Sequence, residues 1–273
     1  MILGNKPSDG GNLILDEREK AQVLIEEPFL EKYIHLYLGA EEYINSKRRY
    51  CFWLTDLTPS DLSHSKILKS RLNNIREIRL KSTAQPTRLK AETPHLFFYI
   101  SQPKGNYLIV PSTSSENRKY IPIGFLDPNV IASNACTIVP NATLYHFGIL
   151  TSSVHNAWMR VVAGRLEMRY RYSGSVVYNN FVWANATDEQ KEKISKTAQA
   201  ILDARKLYSS SSLAELYSQN GLSIATELNK AHKANDKAVL DLYGFKADAT
   251  EDEIVAKLML LYAEKVKDLK QKH

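Results

Sequence analysis

Cysteine is nearly absent. The chain has two in 273 residues, Cys51 and Cys136, far apart and each in apolar surroundings. That excludes a disulfide framework and a thiolate metal site, and points to free buried thiols in a reducing compartment. Long apolar runs are missing too: nothing approaches the roughly 20 residues needed to cross a bilayer, and the start, Met1 to Pro7, resembles neither a signal nor a transit peptide. A cytoplasmic protein without membrane contact is expected. The seven histidines show no zinc-ligand spacing, no serine or cysteine has a recognisable base partner, and no nuclease-type carboxylate and lysine cluster is evident. His146 reads as a hydrogen-bonded core histidine in an apolar strand. No catalytic group, metal site or cofactor site is therefore expected in this chain.

What the sequence does have is positive charge, with a formal net charge of +6, and 44% hydrophobic residues, enough for a medium domain with a smaller one. The excess charge leans towards a polyanionic partner, although it also serves solubility. It gathers at Lys47-Arg48-Arg49, on a helix from Ser65 to Lys81 carrying Arg71 and Arg79, and at Arg88. No aromatic residue interleaves the helix, so phosphate contact is expected there rather than base stacking. Solvated surface is the bland alternative.

Asp16 with Glu19, the run Thr151-Ser152-Ser153, Thr187 with Gln190, and Thr250 with Glu253 can cap helices. Pro28 predicts a helix through Tyr37. Strands are predicted at Tyr50 to Leu54, Leu96 to Ile100, Tyr107 to Val110, Tyr120 to Phe125, Thr137 to Val139 and Leu144 to Leu150. A helix from Val154 should end on a left-handed Gly164. The reading is α+β, with a mixed-sheet domain over residues 1–184 and a small helical domain over 185–273.

Arg165-Leu166-Glu167-Met168-Arg169-Tyr170-Arg171-Tyr172 alternates charged with apolar or aromatic side chains, the period of one strand with a packed face and a charged face. Arginine forks onto the guanine edge and a carboxylate accepts from the cytosine amine, so these residue types suit base reading. An amphipathic edge strand with a weak surface salt bridge is the plainer alternative.

Several stretches together resemble the C-terminal part of MmeI-like DNA methyltransferases, single-chain Type II restriction-modification enzymes. They are Gly10 to Leu13, Glu92 to Leu96, Tyr120 to Leu126, Pro140 to Gly148, Gly164 to Leu166, Tyr170 to Ser173 and Tyr178 to Phe181. The resemblance implies a target recognition domain followed by a helical segment, with double-stranded DNA as partner. It places the nuclease and adenine methyltransferase domains, and the S-adenosylmethionine cofactor, in the parent chain upstream of this stretch. It also implies that Glu167 and Arg169 read one G·C pair, because members vary between Glu-x-Arg and Lys-x-Asp there. Arg171, Asn134 and Ala135 align with positions that vary with target sequence. Phosphate contacts are expected from Arg165, Lys47, Arg48, Arg49, Arg71, Arg79 and Arg88. The rival readings are an RNA-binding module stacking bases on Tyr170 and Tyr172, and a subunit-docking module using the C-terminal helices.

Overall fold

The computed structural model describes residues 1–271, apart from the side chain of Leu269. In chain order its elements are β1 (Ile2–Leu3), β2 (Ile14–Leu15), α1 (Glu17–Glu26), β3 (Ile34–Leu38), α2 (Ala40–Asn45), β4 (Tyr50–Phe52), α3 (Pro59–His64), α4 (Lys66–Leu80) and α5 (Gln85–Leu89). There follow β5 (Tyr107–Pro111), β6 (Thr113–Ser114), β7 (Gly124–Leu126), β8 (Ile131–Ala132), β9 (Cys136–Pro140), α6 (Leu144–Leu150), α7 (Ser153–Val162), β10 (Gly164–Leu166) and β11 (Arg169–Arg171). Helices α8 (Asp188–Lys206), α9 (Leu213–Leu216), α10 (Gly221–Ile224), α11 (Thr226–Leu242) and α12 (Glu251–Gln271) complete an α+β fold.

The chain forms two compact units: residues 3–105 with 127–136, and residues 1–2 and 106–126 with those from 137 onward. This division differs from a cut near residue 184. The helices after Thr187 bury Ile194, Ala198, Ile201, Leu228, Val239 and Leu258 in the same core as Leu108, Tyr120, Phe147 and Trp158, so they have no core of their own.

In the unit of residues 3–105 and 127–136 the sheet runs β2-β4-β3-β8, antiparallel except for the parallel pairing of β3 with β8. Asp16 and Glu19 form a reciprocal capping box at α1. Pro28 starts only a 3-10 turn to Tyr33, after which Ile34-His35-Leu36-Tyr37-Leu38 becomes β3 against β4. Pairing of Ile34, His35 and Leu36 with Phe52, Cys51 and Tyr50 overrides the helical start that Pro28 offers. Residues Leu96 to Ile100 form no strand, and are tied by a bridge from Lys6 to Tyr99, by the Phe98 amide donating to the Pro7 carbonyl and by Arg79 donating to the Leu96 carbonyl. Helix α4 is capped by Ser65 and buries Leu68, Leu72, Ile75 and Arg79, one stripe at helical spacing.

In the other unit β9, β5 and β7 lie side by side, and β10, β11 and β6 form a small antiparallel sheet. Of the stretch Tyr120 to Phe125 only the end enters β7. Leu144 to Leu150 is a helix, not a strand, because Asn141 turns the chain at φ 56° and Thr143 with His146 caps it. His146 thus sits half-buried at a helix start, with Nδ1 accepting from the Thr143 amide at 3.1 Å. Gly148 in this helix is needed for close approach: a Cβ there would lie 2.6 Å from the side chain of Ile194 on α8 and 3.0 Å from Asn235 on α11. Helix α7 ends at Ala163 in extended backbone, and Gly164 opens β10 without a left-handed turn.

Candidate nucleic-acid interface

Most of the basic residues in the unit of residues 3–105 and 127–136 are already engaged. Arg79 is the clear correction: it is fully buried, and its Nε and both Nη atoms donate to the carbonyls of Pro7, Ser8, Lys90, Thr93 and Leu96 at 2.8 to 3.1 Å. A guanidinium has five N–H donors, so none remains for phosphate. Arg71 turns inward, donating to the carbonyl of Asn12 at 2.9 Å and pairing with Glu19 at 3.2 Å. Lys47 pairs with Glu41 at 2.5 Å, Arg48 with Glu17 at 3.9 Å, and Arg49 with Glu42 at 3.1 Å. Arg88 is exposed and donates to the carbonyls of Ser82 and Thr83. The positive tract is thus largely neutralised or structural. Asn134 and Ala135 face solvent on the turn between β8 and β9, and among the described residues the Asn134 amide has no side-chain hydrogen bond.

Arg165 to Tyr172, in the other unit, is a hairpin and not one strand. β10 and β11 pair Gly164 with Arg171, Arg165 with Tyr170, and Leu166 with Arg169, and β11 continues onto Ser114 and Thr113. The two-residue loop is Glu167-Met168, with Glu167 left-handed at φ 56°. Directly paired residues on antiparallel strands project to the same face. One face therefore carries Leu166, Arg169 and Arg171; the other carries Arg165 and Tyr170. The Arg165 guanidinium lies 3.8 Å from the Tyr170 ring centre and donates to the Met168 carbonyl at 3.0 Å, so it braces the hairpin from the opposite side.

Glu167 and Arg169 are exposed and joined at 2.7 Å. Only one Nη of Arg169 is used by that contact, so the rest of its fork is open among the described residues. Arg171 is exposed, and its side chain has no ion-pair or hydrogen-bond partner among them. In high dielectric such an exposed pair contributes about 1 kcal/mol or less to stability. Its chemistry is donor and acceptor placed side by side, matching the guanine and cytosine edges of one base pair.

The hairpin is anchored from below. Tyr170 and Tyr172 are 7% and 3% exposed, and the Tyr172 amide donates to the Ser112 carbonyl at 2.9 Å. The Tyr172 hydroxyl meets Nε2 of His155 on α7 at 2.8 Å, in a site where burial pushes the imidazole down to about 3 and the phenol well up. Both groups are neutral at physiological pH and share this one hydrogen bond. Nothing in the spacing of His155 signals this role. Burial of both tyrosines removes the stacking surface that the RNA-binding alternative requires. Replacing Tyr172 by phenylalanine leaves a buried imidazole nitrogen unpaired, and is expected to lower the urea unfolding free energy by about 1 to 2 kcal/mol; an unchanged midpoint would remove this anchor.

Residues 1–185 match the family model described as "MmeI, target recognition domain", and residues 186–270 match "MmeI, C-terminal domain". The chain belongs to the MmeI target recognition family. A solved structure of the Type IIL restriction-modification enzyme MmeI in complex with DNA superposes with a TM-score of 0.94 at 47% identity, over 97% of this chain and 35% of that one. DNA methyltransferase A of Bacillus subtilis (strain 168) is 34% identical over 261 residues, 96% of this chain and 29% of that protein. The chain therefore spans about a third of the length of these relatives. The MmeI family's recognition and C-terminal models meet at residues 185 and 186, whereas the shared core joins the C-terminal helices to α6 and α7. Among the described residues there is no cluster of metal-binding side chains and no helix long and apolar enough to cross a membrane.

Proposed function

We propose that this chain is the sequence-reading part of a restriction-modification DNA methyltransferase. It holds duplex DNA with the exposed face of the β10–β11 hairpin in the major groove. Arg169 forks onto guanine while Glu167 accepts from the amine of the paired cytosine, Arg171 contacts an adjacent base or phosphate, and Asn134 and Ala135 face other positions of the target. The observation that carries the reading is the solvent-facing Glu167–Arg169 pair at the hairpin turn, in a chain whose solved relative is described bound to DNA. Transfer of a methyl group from S-adenosylmethionine to an adenine amine, and cleavage where it occurs, fall to other segments of the full-length protein, acting in the cytoplasm. No residue of this chain is assigned to either step.

The test is the double exchange Glu167→Lys, Arg169→Asp in the full-length protein, with the preferred site selected from a random duplex pool before and after. Preference at one position should reverse from one orientation of G·C to the other, by about 5- to 150-fold, the range of a good bidentate contact. An unchanged site sinks the assignment.

A further inference from the structure

We propose that Leu166 is a specificity-determining residue that reads the C5-methyl group of a thymine in a base pair next to the one taken by Glu167 and Arg169. This rests on the hairpin being the groove reader. The strand register sets Leu166 directly opposite Arg169, on the face that also carries Arg171, and turns Arg165 away onto Tyr170. Leu166 is 47% exposed although the core of its unit lies just beneath the same hairpin, where Tyr170 and Tyr172 are packed. A half-exposed leucine is ordinary by itself; what singles this one out is that it shares a face with Arg169 and Arg171.

Duplex DNA is the occupant that this mixed face fits. Arg169 and Arg171 complement phosphate and guanine, and the one apolar feature offered by the major groove is the thymine methyl. Scale agrees. Directly opposed residues have Cβ atoms about 4.5 to 5.5 Å apart, and successive base pairs are spaced about 3.4 Å. With Arg169 on a guanine, Leu166 lies over a neighbouring pair. Met168, 69% exposed in the loop, sits outside this register and is assigned no base.

The experiment uses the full-length protein and duplexes bearing its selected site, with each thymine flanking the pair read by Glu167 and Arg169 replaced singly by uracil, which lacks only the methyl. Fluorescence anisotropy should show one replacement that weakens binding about three- to five-fold, the worth of one buried methyl group. Leu166→Ala should bind the unmodified duplex weaker by a similar factor and no longer distinguish thymine from uracil. Its thermal midpoint should fall by only about 2 to 4 °C, since half of the side chain is already in water. The inference is overturned if neither flanking pair contains thymine, if the parent binds both duplexes equally, or if Leu166→Ala still discriminates. A successful Glu167 and Arg169 exchange beside a failed uracil test removes Leu166 alone; failure of that exchange removes the groove reading itself.

Discussion

Replacing Arg79 by alanine is expected to lower the unfolding free energy by about 4 kcal/mol or more, the largest effect of any single substitution argued for this chain. The guanidinium is fully buried, and five backbone carbonyls from two separate stretches, Pro7 to Ser8 and Lys90 to Leu96, converge on it. Those carbonyl dipoles solvate the charge in place of water. Removing the side chain leaves five acceptors that must find water or remain unpaired, and opens a void beside Ile75 and Leu72 on the same helix stripe. Arg79→Lys keeps the charge, but three rotatable donors cannot reproduce a planar five-donor fork, so about half of the loss is expected to remain. Urea denaturation of both variants measures this. A midpoint within error of the parent for Arg79→Ala would show that the two stretches are held by other contacts, and would reopen Arg79 as a surface ligand.

Acidification from pH 7 to pH 5 is expected to remove about 2 kcal/mol of stability from the unit that carries the hairpin through His155, and more through His232, two histidines buried in the neutral state. His155 packs against Phe181 and Tyr172, and burial pushes it down to about 3. His232 is stacked on Tyr120 at 4.2 Å and bonded to the Tyr217 hydroxyl at 2.7 Å; burial first, then the positive charges of Arg205 and Lys119, hold its pKa well below the ordinary range. In the unfolded chain both titrate near 6.5. The unfolded state then binds protons that the folded state refuses, so this stability is complete above about pH 6.5 and is lost as pH falls towards the folded values, roughly 2 kcal/mol for His155 by pH 5, with His232 adding in the same direction. Asp236 acts in the opposite sense. Burial raises its carboxyl even though Tyr120 and the Ser153 amide donate to it at 2.6 and 2.7 Å, so its protonated form favours folding at low pH and offsets part of the loss. Urea titrations at pH 7, 6 and 5 should therefore slope downward, and His155→Gln should flatten the slope by about one proton. A flat profile in the parent would mean that these rings are not held neutral.

Helix starts were legible from the sequence because capping is local chemistry. Asp16 with Glu19, Thr187 with Gln190, and Thr250 with Glu253 all act on backbone amides within three residues, and of the run Thr151-Ser152-Ser153 it is Ser152 that does so. Leu144 to Leu150 was not legible. A run of seven largely apolar residues has no decisive period, and Asn141 and Thr143 settle its conformation from outside the run. Arg79 lies between these cases. Its spacing from Leu68, Leu72 and Ile75 is that of the buried stripe, but charge argued for the surface, and the carbonyls that make burial possible come from distant parts of the chain.

By itself the sequence determined the residue types of the Arg165 to Tyr172 stretch and the family resemblance, since these depend only on which side chains occur and in what order. Only the tertiary structure decided which of them share a face. Glu167-Met168 carries none of the glycine or asparagine that usually announces a tight turn, yet it folds Arg165 to Tyr172 back on itself. A two-residue loop pairs odd-numbered positions with even-numbered ones. Alternation, which sets the face along a single strand, therefore changes sides at the turn, sending Arg165 to the tyrosine side and bringing Leu166 beside Arg169.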